Sequence, residues 1–305
     1  MTTSKRREQF WQHVNQHQLS MGEYQLAYAS IIPSNAKAAI TLVNGRCESY
    51  LKYQELIFDL TQMGYAVFTF DHLGQGLSSR LLSEPEKGYI DTFSQYTDSL
   101  AYFVEHIVQP QWQGKHYLLA HSMGAAISYL YLAKHQHIFE KCIFSAPMFG
   151  IPTAGIPRLL ARAIAKSCVL FGLGKQYFIS QGSFENKAFE INQLMHDKVR
   201  YQAFQTLYTS QPNLRLGGVT CNWLAEALKA TVEIESTQIT IPGRVLQAEK
   251  ESIVLNRAQN KVVAHNETLE MVVFANSFHE ILFETDAIRN AALKEIEVFF
   301  NAQYE

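Results

Sequence analysis

The sequence predicts an α/β fold, a mostly parallel β-sheet flanked by helices, with a helical segment inserted late in the chain. Three observations carry that prediction. Short β-branched and aromatic runs alternate with longer stretches of helical periodicity. A serine stands at the junction of one such run with a helix, and the alternation lapses over residues 148–240 before it resumes. With 305 residues, 47% hydrophobic and 18% charged, the chain has apolar material for one large core.

The runs at 38–44 (AAITLVN) and 66–71 (AVFTFD) read as strands. Between them, residues 53–63 carry Leu56, Leu60 and Met63 at helical spacing, and Gly64 stops the helix. Residues 94–108 form a helix with Leu100, Phe103, Val104 and Ile107 on one face, closed by Pro110. A strand at 116–120, a helix over 123–135 and a strand at 141–146 follow. Strands at 244–248 and 270–275 and a helix over 286–300 end the pattern. The core is therefore assigned to 1–147 and 241–305. Residues 148–240, which hold IPRLLARAIAKSCVLFGLG and CNWLAEALKA, are assigned to a helical cap over the C-terminal edge of the sheet, where such sheets bind ligands.

Composition excludes several classes. With 26 basic against 28 acidic residues and a net charge of -2, the chain has no electrostatic footprint for nucleic acid. Cys47, Cys142, Cys168 and Cys221 lie far apart without a C-x-x-C pair, which argues against a zinc ribbon or a disulfide scaffold and for a reducing compartment. No apolar run approaches the roughly 18 to 20 residues of a membrane span. The opening MTTSKRREQFWQHVNQ has no apolar stretch behind its basic residues, unlike a secretory signal. The chain reads as soluble and cytoplasmic.

Ala120-His121-Ser122-Met123-Gly124 sits between the strand-like YLLA and the helix-like AAISYLYLA. A nucleophile on so sharp a turn needs small residues two before and two after it, and Ala120 and Gly124 supply them. The competing reading is a serine that only caps a helix. A serine hydroxyl needs a base, and the base an orienting acid, each following a later strand. His279 lies between the last strand and the last helix. The acid is Glu249 or Glu251, and Glu251, further past the strand end, is the better placed to face His279. An oxyanion would need backbone N–H donors. Met123, after the serine, is one. The Arg46 amide, in the loop Asn44-Gly45-Arg46-Cys47-Glu48, is the best candidate for the other, the alternative being an ordinary strand-to-helix turn. The stretch Asp71-His72-Leu73-Gly74-Gln75-Gly76-Leu77-Ser78 lacks the third glycine of a phosphate-binding turn and reads as a loop buttressing the site.

Ser122, Glu251 and His279 in this order, with an insertion before the acid, resemble the α/β-hydrolase superfamily. More narrowly, GRCESYLKYQELIFDL, FDHLGQGLSSRLL, LLAHSMGA, RYQAFQ, LRLGGVT, RVLQAEKESIV and FHEILFE resemble the bacterial lysophospholipases of the L-two type, with monoacylglycerol lipases close by. The likeness runs from about Phe10 to Phe300. It implies hydrolysis of the remaining acyl ester of a lysophospholipid at or near the inner membrane, with no metal and no organic cofactor, and it supports Glu251 as the acid. Ala120 stands where many relatives carry glycine, and Leu73 where they carry arginine. The triad leaves open a monoacylglycerol lipase, a small-ester esterase or a peptidase, and outside catalysis a lipid-binding protein.

Arg158, Arg162 and Lys166 recur every fourth residue in the cap, among Leu159, Leu160, Ala163, Ile164 and Val169. Such a helix either rests on an anionic membrane or lays its apolar side over the site with its charges in water.

Overall fold

The structure, a computed structural model, describes residues 3–153 and 155–302. Eight strands form one sheet in the order β1-β2-β4-β3-β5-β6-β7-β8. They are β1 (Asn15–Met21), β2 (Tyr24–Ile31), β3 (Ala38–Val43), β4 (Tyr65–Phe70), β5 (His116–His121), β6 (Lys141–Ser145), β7 (Gly243–Ala248) and β8 (Leu269–Phe274). Strands β3 to β8 are mutually parallel, and β2 runs against both its neighbours. The helices are α1 (Thr3–Trp11), α2 (Gln54–Gln62), α3 (Ser94–Phe103), the single turn α4 (Gln109–Gln111), α5 (Met123–Lys134), α6 (Arg158–Leu170), α7 (Lys198–Ser210), α8 (Cys221–Glu235), α9 (Asn256–Ala264) and α10 (Asp286–Asn301).

The central strands are buried on both sides, so they read as continuous apolar runs. Alternate residues nevertheless serve different layers. Ile40, Leu42, Val67, Tyr117 and Leu119 join the layer of α2 and α10, where Tyr117 stacks on Phe300 with ring centroids 4.6 Å apart. Ala39, Val43, Phe68, Phe70, Leu118 and Ala120 join the layer of α3 and α5. Helix α5 is buried along nearly its whole length, as a helix at the centre of a layer must be.

Each strand expected from the sequence is present, with ends shifted by a residue or so. The helix expected over 53–63 begins as a 3₁₀ turn at Tyr50–Tyr53. The one expected over 94–108 is α3 followed by a wider π turn at Val104–Val108. The elements that sequence reading missed are α1, the hairpin β1–β2 and α9. Strand β1, NQHQLSM, is an exposed polar edge with no apolar alternation to betray it.

Among the described residues, 146–242 contribute no strand to the sheet. Helix α8 puts Trp223, Ala227, Ala230 and Ile234 into the α3–α5 layer, whereas Met195 and Tyr201 of the same insertion join the α2–α10 layer. This stretch thus packs against both faces of the sheet. Its helix α6 departs from the simpler of the two readings above. Alanines, Ala161 and Ala165, face inward, while Leu159, Leu160 and Leu170 are exposed. Arg158 does not join a free basic stripe, since it pairs with Glu235 on α8.

Candidate active site

Ser122 follows β5 and opens α5 with φ 51° and ψ -116°, a conformation that costs about 1–3 kcal/mol for a residue with a side chain. Backbone hydrogen bonds hold it. Its N–H donates to Ser145 O at 3.0 Å, and its carbonyl accepts the Met148 N–H at 3.0 Å and the Ala125 N–H at 3.1 Å. Gly124 is required by close approach: a Cβ there would lie 2.2 Å from Asn44 O and 2.6 Å from Val43 O. The elbow is pressed directly against the end of β3, beside the Asn44–Glu48 loop.

The structure brings Ser122, His279 and Glu251 into one line. His279 Nε2 is 2.9 Å from Ser122 Oγ, and His279 Nδ1 is 2.7 Å from Glu251 Oε2. A carboxylate only accepts, so Nδ1 carries the proton and Nε2 is left free to accept the serine hydroxyl. Burial pushes the Glu251 carboxyl up, but the hydrogen bond and charge of His279, with the amides of Ile253 and Val254, hold it below its ordinary value. Glu249, the rival acid, is spent elsewhere, accepting the Asn276 N–H at 2.7 Å at the turn before His279. Ser122 is 8% exposed and His279 3%, so the site is closed over.

The Asn44–Glu48 loop, read from the sequence as an oxyanion site, is pinned at Gly45 and Glu48. Gln75 Nε2 donates to Gly45 O at 2.7 Å and to Glu48 O at 2.9 Å, and the Gly45 N–H donates to Glu48 Oε2 at 2.5 Å. Among the described residues neither the Arg46 nor the Met123 amide has a hydrogen-bond acceptor. Beneath the loop, buried Asp71 accepts from Asn44 Nδ2, Ser49 Oγ and the amides of Tyr50 and Leu77. Burial pushes its carboxyl up to about 6 against these four donors. The loop read from the sequence as a buttress is one, and its anchor is Asp71. Gly76 has φ 56°, and a Cβ on it would strike Asp71 Oδ2 at 2.1 Å.

A buried charge cluster escaped the sequence reading. Lys52 Nζ bridges Glu48 Oε1 at 2.7 Å and Glu280 Oε1 at 2.5 Å, tying the oxyanion loop to the residue after His279. Burial pushes Glu48 up, but Lys52, His121 and the Tyr53 hydroxyl pull it down to about 2. Burial opposes the charge on Lys52 as well, yet its two carboxylates hold it above its ordinary value. Glu280 is pushed up by burial. The signal in the sequence was a Glu–Lys pair four residues apart beside the loop, which is usually a surface feature. His121, its ring centroid 4.9 Å from that of His279, is pushed down to about 4 by burial and stays neutral beside it.

A cleft of about 620 Å³ between α1, α2 and α7 contains none of Ser122, His279 and Glu251. Arg200 there is already shared among Glu55, Asp197 and Asp286, so the cleft is a seam tied by ion pairs. A smaller one of about 190 Å³ is lined by Phe184, Leu194, Phe204 and Ile253 among others.

A parallel sheet carrying a serine on a strand–helix elbow, with a histidine after the last strand, defines an α/β-hydrolase. The chain belongs to the family described as serine aminopeptidase, S33, whose model matches residues 34–286. It is 39% identical to lysophospholipase L2 of Escherichia coli strain K12 over 274 residues, covering 86% of this chain and 80% of that one. It is 35% identical to the probable lysophospholipase L2 of Haemophilus influenzae over 303 residues, covering 96% and 94%. A soluble variant of monoglyceride lipase from Saccharomyces cerevisiae, solved with a substrate analogue, shares the fold with a TM-score of 0.75 at 17% identity, covering 94% of this chain and 96% of that one.

Ionised Glu48 stabilises the fold fully above its ordinary value of 4.5, and that contribution is lost as pH falls toward about 2. In thermal melts from pH 6 to pH 2, Glu48→Gln should have the lower Tm at pH 6 and a shallower fall through this window than the wild type.

Proposed function

We propose that the protein is a serine hydrolase that cleaves the carboxylic ester of a lysophospholipid, giving a free fatty acid and a glycerophosphodiester. The observation that carries this reading is the hydrogen-bonded line Glu251–His279–Ser122. The substrate class is supported by the two relatives named lysophospholipase L2, at 39% and 35% identity. The family description names a peptidase, but relatives at this level of identity weigh more for the substrate than the family description does.

Ser122 Oγ attacks the ester carbonyl while His279 Nε2 takes its proton, and Glu251 stabilises the imidazolium. The amides of Met123 and Arg46 donate to the oxyanion, each such donor being worth about a hundredfold to a thousandfold in turnover. His279 then gives its proton to the departing glycerol oxygen, and the acyl group remains on Ser122. Water, deprotonated by His279, attacks the acyl-enzyme and releases the fatty acid. Residues 148–240 act as the cap that must part to admit the tail.

Fatty-acid release from a lysophospholipid and a monoacylglycerol, measured side by side, tests the reading. The wild type should prefer the lysophospholipid, and Ser122→Ala should lose at least about a thousandfold in kcat while keeping its Tm. A Ser122-dependent preference for the monoacylglycerol would move the enzyme to the lipase reading. Undiminished turnover in Ser122→Ala would end both.

The cap also rests on membrane lipid in this reading. Among the described residues no helix is long and apolar enough to cross a membrane. Yet Leu159, Leu170 and Phe171 are 76%, 85% and 82% exposed along one helix and its end, beside Arg162 and Lys166. Large apolar side chains left together in water, next to basic ones, suit an anionic lipid surface. In co-sedimentation with vesicles containing phosphatidylglycerol, the triple change Leu159→Ser, Leu170→Ser and Phe171→Ser should reduce binding at least about tenfold. It should leave turnover of a soluble short-chain ester unchanged. Equal binding by the variant would refute the contact.

A further inference from the structure

Arg46 belongs at once to the oxyanion loop and to the cap's footing. Its guanidinium leaves the loop and enters a slot beneath the cap. There Nη2 donates to Gly217 O at 2.6 Å and Nη1 to Cys47 Sγ at 3.0 Å, and the ring of Trp223 on α8 lies 5.0 Å from the guanidinium carbon. The Cys47 thiol reaches the same Gly217 carbonyl at 3.8 Å. One cap carbonyl therefore receives both residues that follow Gly45.

The slot is built for this side chain. Gly88 forms its other wall, and a Cβ on Gly88 would stand 2.3 Å from Arg46 Nη2 and 2.9 Å from Gly218 O. The Gly88 N–H donates to Gly218 O at 3.0 Å, the Gly217 N–H to Glu86 O at 2.7 Å, and Thr220 donates through its amide and its hydroxyl to Gly88 O at 2.9 Å. Trp223 is itself anchored to the core, donating from Nε1 to the Tyr96 hydroxyl at 3.1 Å. This corner of the cap is thus hydrogen-bonded to the core exactly where the guanidinium lies.

The loop needs such an anchor on its far side. Its near side is fixed: Gln75 and Glu48 hold Gly45, and Asp71 holds Asn44. Arg46 and Cys47 form the unsupported crest, and Cys47 has φ 61°, in the left-handed region that a residue with a side chain leaves when it is free to do so. On this side, the contacts to Gly217 and Trp223 hold the crest in that shape.

We propose that the Arg46 side chain is a positioning group that couples the seat of the cap to the oxyanion-binding amide of the same residue. With Gly217 and Trp223 in place, the crest is fixed and the Arg46 N–H is aimed at the developing oxyanion. When the cap shifts at this corner, the guanidinium loses its carbonyl, the crest relaxes and the donor turns away. Full transition-state stabilisation is then available only with the cap seated. This inference rests on the serine-hydrolase reading given above, and on the Arg46 amide as one of its two donors.

The test uses Arg46→Ala, Arg46→Lys and Gly88→Ala, the last crowding the guanidinium without touching Arg46. Each variant is melted, then assayed with p-nitrophenyl butyrate and titrated with an alkyl trifluoromethyl ketone, which forms a tetrahedral adduct. Arg46→Ala should lower kcat about tenfold to a hundredfold, part of what a whole oxyanion donor is worth. KM should stay within about twofold, and the ketone should weaken by the same factor as kcat/KM. Arg46→Lys, which keeps one donor for Gly217 O, should fall between, and Gly88→Ala should follow Arg46→Ala. A merely structural role would lower Tm and leave the ketone affinity tracking nothing. Folded Arg46→Ala with wild-type kcat and ketone affinity overturns the coupling, as does a loss in kcat without loss of ketone affinity. Labelling of wild-type Ser122 by a fluorophosphonate separates the two levels. Its failure would remove the serine-hydrolase reading itself, whereas labelling with no Arg46 effect removes the coupling alone.

Discussion

The backbone contact between Gly124 and the end of β3 is the constraint on which the site depends. With no Cβ on Gly124, α5 starts flush against the carbonyls of Val43 and Asn44. That contact forces the turn at Ser122, leaves the serine in an unfavourable backbone region and sets the oxyanion loop beside it. The cost of the turn is met by the packing of α5, a helix with no solvent face along most of its length. A serine held this way cannot move away from His279 without disturbing the centre of the sheet.

Around this contact the charges are held by burial and pairing. Glu251 is held ionised by His279 and two amides, and His121 is kept neutral by burial. Glu48, Lys52 and Glu280 form a buried cluster whose members touch the loops on both sides of His279. Such a cluster contributes little net stability, since desolvation offsets most of the attraction, but losing one member strands the others. Its consequence here is geometric: Lys52 fixes the distance between the oxyanion loop and the histidine loop.

Much of this was legible in the sequence, and the reasons differ by element. Strands β3 to β8 announced themselves because burial on both faces demands unbroken apolar runs. Ser122 and His279 were picked out by position between strand and helix, and the structure brings them within 2.9 Å. Glu251 was preferred to Glu249 by its place in the turn, and the hydrogen bonds distribute the two glutamates accordingly. What stayed hidden was polar or long-range. Strand β1 and helix α1 carry too few apolar residues to show a period. Asp71 and Glu280 look like ordinary surface acids until the fold buries them, and the pairing of Lys52 with Glu280 spans most of the chain. Helix α6 misled for a different reason. Its alanines, which look neutral in sequence, make the packed face, and its leucines, which look like core, face outward.

Helix α8, Met195 and Tyr201 pack into the two layers of the core, while α6 and Phe171 expose leucine and phenylalanine that a monomer in water gains nothing by showing. The proposed chemistry stands on covalent catalysis by Ser122, and the most direct test is to catch the acyl group. Rapid acid quenching during turnover of a p-nitrophenyl ester, followed by peptide mass spectrometry, should find the acyl mass on the peptide containing Ser122. Acylation of a different residue, or steady turnover with no acylated peptide at any quench time, would contradict the account.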